Sequence, residues 1–204
     1  MEALNIFIKS IFIDNMIFAF FLGMCSYLAI SKTVKTSMGL GIAVTFVLVI
    51  TVPINYLLDK YILQAGALTW ISDSFATVDL SFLSFIIFIA VIAGIVQLVE
   101  MFVERYSPSL YSQLGIFLPL IAVNCAIMGC SLFMQKRDYS NIGEVFSFSL
   151  GSGIGWLLAI VGIAAIRERL KYNNIPPALK GLGIAFIITG LMAMAFQAFS
   201  GIKL

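Results

Sequence analysis

Long apolar segments alternate with short polar connections along the whole chain. Each segment is close to the length of about 20 residues that a helix needs to cross the hydrocarbon core of a bilayer. The six segments are residues 5–30, 38–58, 80–103, 110–134, 145–166 and 181–199. The longest polar connection is 59–79. The pattern predicts six transmembrane helices, all of them α-helical, in a single membrane domain over residues 1–204.

Composition supports this prediction and excludes several classes of function. The chain is 61% hydrophobic and only 11% charged, with a mean hydropathy of +1.07, whereas a soluble domain is about 45–50% apolar and about 25% charged. A net charge of +2 without a dense basic patch predicts no nucleic-acid partner. The chain has no histidine, which excludes His-ligated haem, His-ligated zinc and a Ser–His–Asp triad. No dinucleotide fingerprint or Walker A motif is present.

Two cysteines occupy matching places in the first and fourth segments. Cys25 lies just after Gly23, and Cys125 directly follows Asn124. Glycine and asparagine weaken a helix, so we expect the first and fourth helices to be broken beside each cysteine. Three crossings per half would place the halves in opposite orientations, as in membrane proteins with inverted repeats. The sequence therefore predicts two inverted three-helix repeats, at about 1–105 and 106–204.

The chemistry of these cysteines has two interpretations. A buried membrane cysteine is usually a small apolar residue with no further role. Thiolates are also the strong soft-metal ligands that a chain without histidine can offer. Cys25 and Cys125 would supply half of the four ligands that an Fe–S cluster normally takes, so the others would come from a copy of the chain or a relative. Cys130 is five residues beyond Cys125 and points about 140° away on a helix, so it is interpreted as a packing residue.

Ionisable residues within apolar segments are functional candidates because a charge in hydrocarbon is costly. Asp14 and Glu100 are the candidates for an ion pathway. Glu100 has an alternative role at the interface, where it could reach lipid headgroups or pair with Arg105. Lys9 and Arg137 are interpreted as snorkelling side chains without a special role.

Two further patterns concern packing and orientation. The Gly151 and Gly155 pair has GxxxG spacing, which allows close helix contact either inside the bundle or with a partner subunit. More Lys and Arg residues lie in the first, third and fifth connections than in the others and the tail. The positive-inside rule then places those connections in the cytoplasm and both termini outside.

Several blocks of the sequence resemble one known family over essentially the whole chain. The blocks are residues 9–16 and 20–25, then 115–120 and 123–126, and finally 135–140, 181–184 and 199–201. They are similar to the E subunits of the sodium-translocating NADH:quinone oxidoreductases. The related A subunits of the Rnf ferredoxin:NAD oxidoreductases have a proline after the first cysteine, where this chain has Ser26. They also lack the 137–140 stretch, so both differences favour the first family.

The resemblance implies a specific assembly in the bacterial inner membrane. A homologous D subunit of opposite topology would share an Fe–S centre of the [2Fe–2S] type with this chain, which would contribute Cys25 and Cys125. The centre would carry electrons from an Fe–S-bearing subunit on the cytoplasmic side to a flavin-bearing subunit on the outer side. The six-subunit complex would oxidise NADH, reduce ubiquinone and export Na⁺, and this chain would not be active alone. An Rnf-type A subunit and a secondary transporter built on inverted repeats remain the alternatives.

Overall fold

The computed structural model describes residues 2–63, 83–106, 118–174, 176 and 179–201. The described part is helical. The helices are α1 (Glu2–Phe12), α2 (Met24–Ile30), α3 (Val34–Leu58), α4 (Ser84–Tyr106), α5 (Leu118–Ala122), α6 (Cys125–Arg137), α7 (Ile142–Leu170) and α8 (Leu182–Gln197). A π-helical turn, Asp59–Leu63, extends α3, and a short 3₁₀ turn, Ala198–Gly201, follows α8.

Three of the described helices are long and apolar enough to cross a membrane. They are Val34–Leu63, Ser84–Tyr106 and Ile142–Leu170, while Leu182–Gln197 is apolar but shorter. The second segment thus runs five residues beyond its predicted end at Leu58, because Asp59 and Leu63 are buried against the bundle instead of entering a polar loop. The rest of the predicted connection 59–79 and the start of the fourth segment, 110–117, lie outside the described residues.

The first and fourth segments are both broken, as the positions of Gly23 and Asn124 predict. The first break is longer than expected, since α1 ends at Phe12 and α2 begins only at Met24. Gly23 has φ +79°, a left-handed conformation that glycine adopts without the steric cost of a β-carbon. In the second break, the side chain of Asn124 accepts a hydrogen bond from the backbone N–H of Ala126 and caps α6.

Helices α3 and α7 pack against each other at the centre of the bundle, and α1 packs on α7. Glycines make these contacts close. A β-carbon on Gly151 would lie 2.7 Å from the carbonyl oxygen of Phe7, and one on Gly155 would lie 3.0 Å from the carbonyl oxygen of Ile11. The GxxxG pair therefore packs inside the chain, and the interpretation as internal packing is confirmed.

Candidate metal-ligating site

The two matching cysteines both lie at the beginning of a helix that follows a break. Cys25 is the second residue of α2, and Cys125 is the first residue of α6. Both side chains are exposed on the surface of the chain, whereas Cys130 is fully buried. The helical geometry that turns Cys130 away from Cys125 is thus confirmed, and Cys130 is a packing residue.

The two breaks touch each other. A β-carbon on Gly23 would lie 2.7 Å from Asn124 Oδ1 and 3.1 Å from the β-carbon of Ala126. The backbone next to Cys25 is therefore in contact with the residues on both sides of Cys125. The hydroxyl of Ser26 donates to the carbonyl oxygen of Gly23 at 3.1 Å, which holds the turn before α2.

Two buried donors beside this contact have no hydrogen-bond acceptor in the described part of the chain. They are Asn124 Nδ2 and Trp156 Nε1, and the Trp156 nitrogen would lie only 2.9 Å from a β-carbon on Gly23. An unpaired buried donor costs about 1–3 kcal/mol. Such donors suit a group that brings negatively charged acceptor atoms, such as thiolate or sulfide, to this region. The residues present therefore fit a metal–sulfur group.

The surroundings of Cys125 are apolar and open. A cavity of about 580 Å³ adjoins this cysteine and is lined by Leu22, Ile89 and Met128 among others. The neighbouring Val123 is 68% exposed and Phe21 is 55% exposed. In the part of the chain that the structure describes, no group of three or more His, Cys, Asp or Glu side chains could hold a metal ion. The two thiols are therefore at most part of a ligand set.

The two predicted carboxylates occupy different environments. Asp14 forms an ion pair with Arg137, with 2.8 Å between Oδ2 and Nη2. Arg137 also lies over the ring of Phe148, at 5.3 Å from its centroid. The interpretation of Arg137 as a snorkelling residue without a special role is wrong, because its guanidinium holds the first break against the end of α6.

Glu100 lies partly buried on α4. The proposed pair with Arg105 is not present, since Asp14–Arg137 is the one ion pair among the described residues. No hydrogen bond or ion pair joins Glu100 to Asp14 in that part of the structure. The ion-pathway role of both carboxylates stays a prediction.

Sequence reasoning missed Asn15, which organises the first break. Its fully buried side chain donates from Nδ2 to the carbonyl oxygens of Ile11 at 3.0 Å and Gly155 at 2.9 Å. Its Oδ1 accepts from the backbone N–H groups of Ile17 at 3.0 Å and Phe18 at 3.3 Å. The signal was an asparagine in a long apolar segment, where an amide must find partners for both of its ends.

Comparison with known proteins assigns the chain to a family. The family model described as "Rnf-Nqr subunit, membrane protein" matches residues 3–203. The E subunit of a Na(+)-translocating NADH-quinone reductase from Rhodopirellula baltica is 56% identical, covering 100% of this chain and 99% of that relative. The E subunits of the reductases from Maridesulfovibrio salexigens and Alcanivorax borkumensis are 59% and 55% identical, each covering 98% of both chains. The chain therefore belongs to the Rnf-Nqr family of membrane subunits, and within it to the E subunits of the Na⁺-translocating NADH-quinone reductases.

Proposed function

We propose that this chain carries electrons across the membrane in a redox-driven sodium pump, through an Fe–S centre shared with a partner subunit. Cys25 and Cys125 are its ligands from this chain. The observation that carries the proposal is the contact between the two helix breaks, which brings the flanking residues of both exposed thiols together. When bound, a cluster of this kind supplies one-electron transfer at a potential set by its hydrogen bonds and solvent exposure.

The residues around the thiols have separate tasks. Gly23 allows the first break to approach Asn124 closely, and Asn124 begins α6 at Cys125. The N–H groups of Asn124 and Trp156 are available as donors to sulfur, which would tune the potential. The exposed apolar residues beside the cysteines exclude water once a partner covers them.

The missing ligands argue for a partner subunit. An Fe–S cluster of the [2Fe–2S] type normally takes four thiolates, and this chain offers two exposed ones. A homologous D subunit of opposite topology would supply the other two and would cover the apolar surface around Cys125. An Fe–S-bearing subunit of the complex would then donate the electrons and a flavin-bearing one would accept them.

The helix contacts support the proposed inverted repeat. If whole segments of the first half are exchanged with those of the second, the contact of the first segment with the fifth, made by α1 and α7, corresponds to that of the fourth with the second, made by α6 and α3. The half-helices differ, since α1 precedes its break and α6 follows its own. The contact of α3 with α4 corresponds to that of α7 with α8. All four contacts are present. The contact of the third segment with the fourth, made by α4 with α5 and α6, corresponds to that of the sixth with the first. In the latter, Phe12 and Phe18 pack on Phe196 of α8. We propose repeats at about 1–105 and 106–204, with both termini outside the bacterial inner membrane.

A sodium role for Asp14 and Glu100 is part of the same proposal. The charge of Asp14 is already compensated by Arg137, so this carboxylate would reach a cation only if the ion pair opened. Glu100 has no ion-pair partner in the described residues, so it could reach a cation without the opening of an ion pair.

The test is the iron and acid-labile sulfide content of the purified complex. Cys25→Ala and Cys125→Ala should each lose the centre, because a missing thiolate leaves iron under-coordinated. Cys130→Ala is the matched control and should keep the iron, with a stability loss of about 1 kcal/mol from the small cavity. Wild-type iron in Cys125→Ala would overturn the ligand assignment. Substrate uptake by the isolated chain without iron would favour the secondary transporter instead.

A further inference from the structure

A second polar cluster lies where α3, α4 and α6 meet, in the half of α6 that follows Cys130. Asn55 Nδ2 donates to Ser131 Oγ at 2.9 Å, and Gln135 Nε2 donates to Asp59 Oδ1 at 2.8 Å. Ser84 Oγ donates to Gln135 Oε1 at 3.3 Å. These five residues form one group, here called the oxygen cluster. On α3 with its π-helical extension and on α6 its members are four residues apart, so each helix presents its pair on one face.

The oxygen cluster is largely buried, and no cationic side chain among the described residues forms an ion pair with its carboxylate. Asp59 is only 8% exposed, and Asn55 and Ser131 are fully buried. The one hydrogen bond found for the Asp59 carboxylate in the described residues comes from the neutral amide of Gln135. The adjacent Lys60 donates to the hydroxyl of Tyr56 at 3.2 Å and forms no ion pair with Asp59.

A second observation points to a ligand at the same place. Asn55 Oδ1 is a buried carbonyl oxygen without a hydrogen-bond donor in the described structure. Buried polar atoms are paired in the great majority of cases, so an unpaired one calls for a proton donor or a cation. Asp59 also begins the π-helical turn Asp59–Leu63, and single π turns are rare and frequent at functional sites.

We propose that the oxygen cluster is a binding site for a monovalent alkali cation. Every atom that it offers as a ligand is an oxygen: the Asp59 carboxylate, the amide oxygens of Asn55 and Gln135, and the hydroxyls of Ser131 and Ser84. Hard cations prefer such ligands. A single carboxylate matches a single positive charge, whereas a divalent ion would be left with excess charge in a buried site. The choice of sodium among the alkali cations rests on the proposed function.

The oxygen cluster is chemically distinct from the thiol site, so the two can be separated by mutation. Substitution of Asp59 removes a hard oxygen ligand and leaves the thiolates in place, and substitution of Cys125 removes a soft thiolate ligand and leaves the oxygens in place. Glu168 is a matched control, since it is an exposed carboxylate on α7 that accepts a hydrogen bond from the backbone N–H of Val34, at the end of α3 opposite to Asp59. Glu168→Gln removes the charge and keeps a side-chain oxygen that can accept the same hydrogen bond.

The experiment measures equilibrium binding of radioactive Na⁺ to the intact purified complex at constant ionic strength, with choline chloride as the replacement salt. Asp59→Asn should lower the number of bound sodium ions by one per complex. Ser131→Ala should keep the site but weaken its affinity on the order of tenfold, because one neutral ligand is lost. Glu168→Gln should bind sodium as the wild type does.

Iron and acid-labile sulfide are assayed in the same preparations. The expected result is normal iron in Asp59→Asn with one sodium ion lost. Unchanged sodium stoichiometry and affinity in Asp59→Asn would overturn the cation site and would indicate a protonated carboxyl instead. If the Asp59→Asn complex does not assemble, an unchanged sodium affinity in Ser131→Ala would likewise overturn the cation site. Absence of iron from the wild-type complex would refute the proposed function and leave the cation site intact.

Discussion

Replacement of Gly23 by alanine tests whether the contact between the two helix breaks places the thiols. Gly23 has φ +79°, and the added β-carbon would lie 2.7 Å from Asn124 Oδ1 and 2.9 Å from Trp156 Nε1. Both distances are shorter than ordinary van der Waals contact, and both neighbours are buried. The substitution therefore strains the backbone and separates the breaks at the same time.

The magnitude follows from these two effects. The left-handed conformation costs a residue with a β-carbon about 1–2 kcal/mol, and insertion of a methyl group into a packed site costs about 1–3 kcal/mol. Alanine recovers about 0.4–1 kcal/mol because it restricts the unfolded chain. The net destabilisation should be about 2–4 kcal/mol. We also expect loss of the iron centre, because Cys25 is two residues beyond the displaced backbone.

Two other glycines separate the effects. Gly181 has φ +101°, but no atom lies within 4 Å of the position that a β-carbon would take, so Gly181→Ala strains the backbone without a clash. Gly94 lies within α4 and also has open space, so Gly94→Ala should be neutral or stabilising by up to about 1 kcal/mol. Only Gly23→Ala should lose iron.

The assay combines the midpoint of thermal unfolding with iron and acid-labile sulfide per complex. Gly23→Ala should lower both, Gly181→Ala should lower the midpoint alone, and Gly94→Ala should lower neither. A Gly23→Ala complex with wild-type iron and an unchanged midpoint would refute the argument that this contact holds the two cysteines in place.

Three further predictions concern sodium, orientation and the first break. Asp14→Asn or Glu100→Gln should weaken the dependence of quinone reduction on Na⁺ concentration, since the amide removes the charge and keeps the shape. The iron content should stay at the wild-type level. Unchanged sodium dependence in both variants would show that the two carboxylates are structural residues. The side chain of Tyr172 is 87% exposed. A cysteine introduced by Tyr172→Cys should not react with an impermeant thiol reagent applied from outside, because the 167–180 connection is predicted to be cytoplasmic. Labelling from outside would reverse the predicted topology. Asn15→Ala should lower the free energy of unfolding by about 2–4 kcal/mol, since it removes four hydrogen bonds from a buried site; thermal unfolding at the wild-type midpoint would contradict that role.

Features that depend on neighbouring residues could be predicted from the sequence. Hydropathy over a span of residues identifies the apolar segments, and the local conformational preferences of Gly23 and Asn124 identify the helix breaks. Helical periodicity separates Cys130 from Cys125, because the turn angle per residue is the same in every α-helix. The extension of α3 to Leu63 could not be predicted in this way, since burial of Asp59 and its hydrogen bond with Gln135 of α6 override the polar character of that residue.

Features that join distant segments were decided by the tertiary structure. Asp14 and Arg137 are 123 residues apart, and each alone is only a charge near an apolar segment. Asn55 and Ser131 are 76 residues apart, and their spacing to Asp59 and Gln135 becomes significant only when α3 and α6 face each other. The amino-acid sequence determined that the chain is a membrane protein with two candidate thiol ligands, because hydrophobicity and backbone preference act locally. Which polar groups meet inside the bundle depends on how the helices pack, so only the three-dimensional arrangement could pair them.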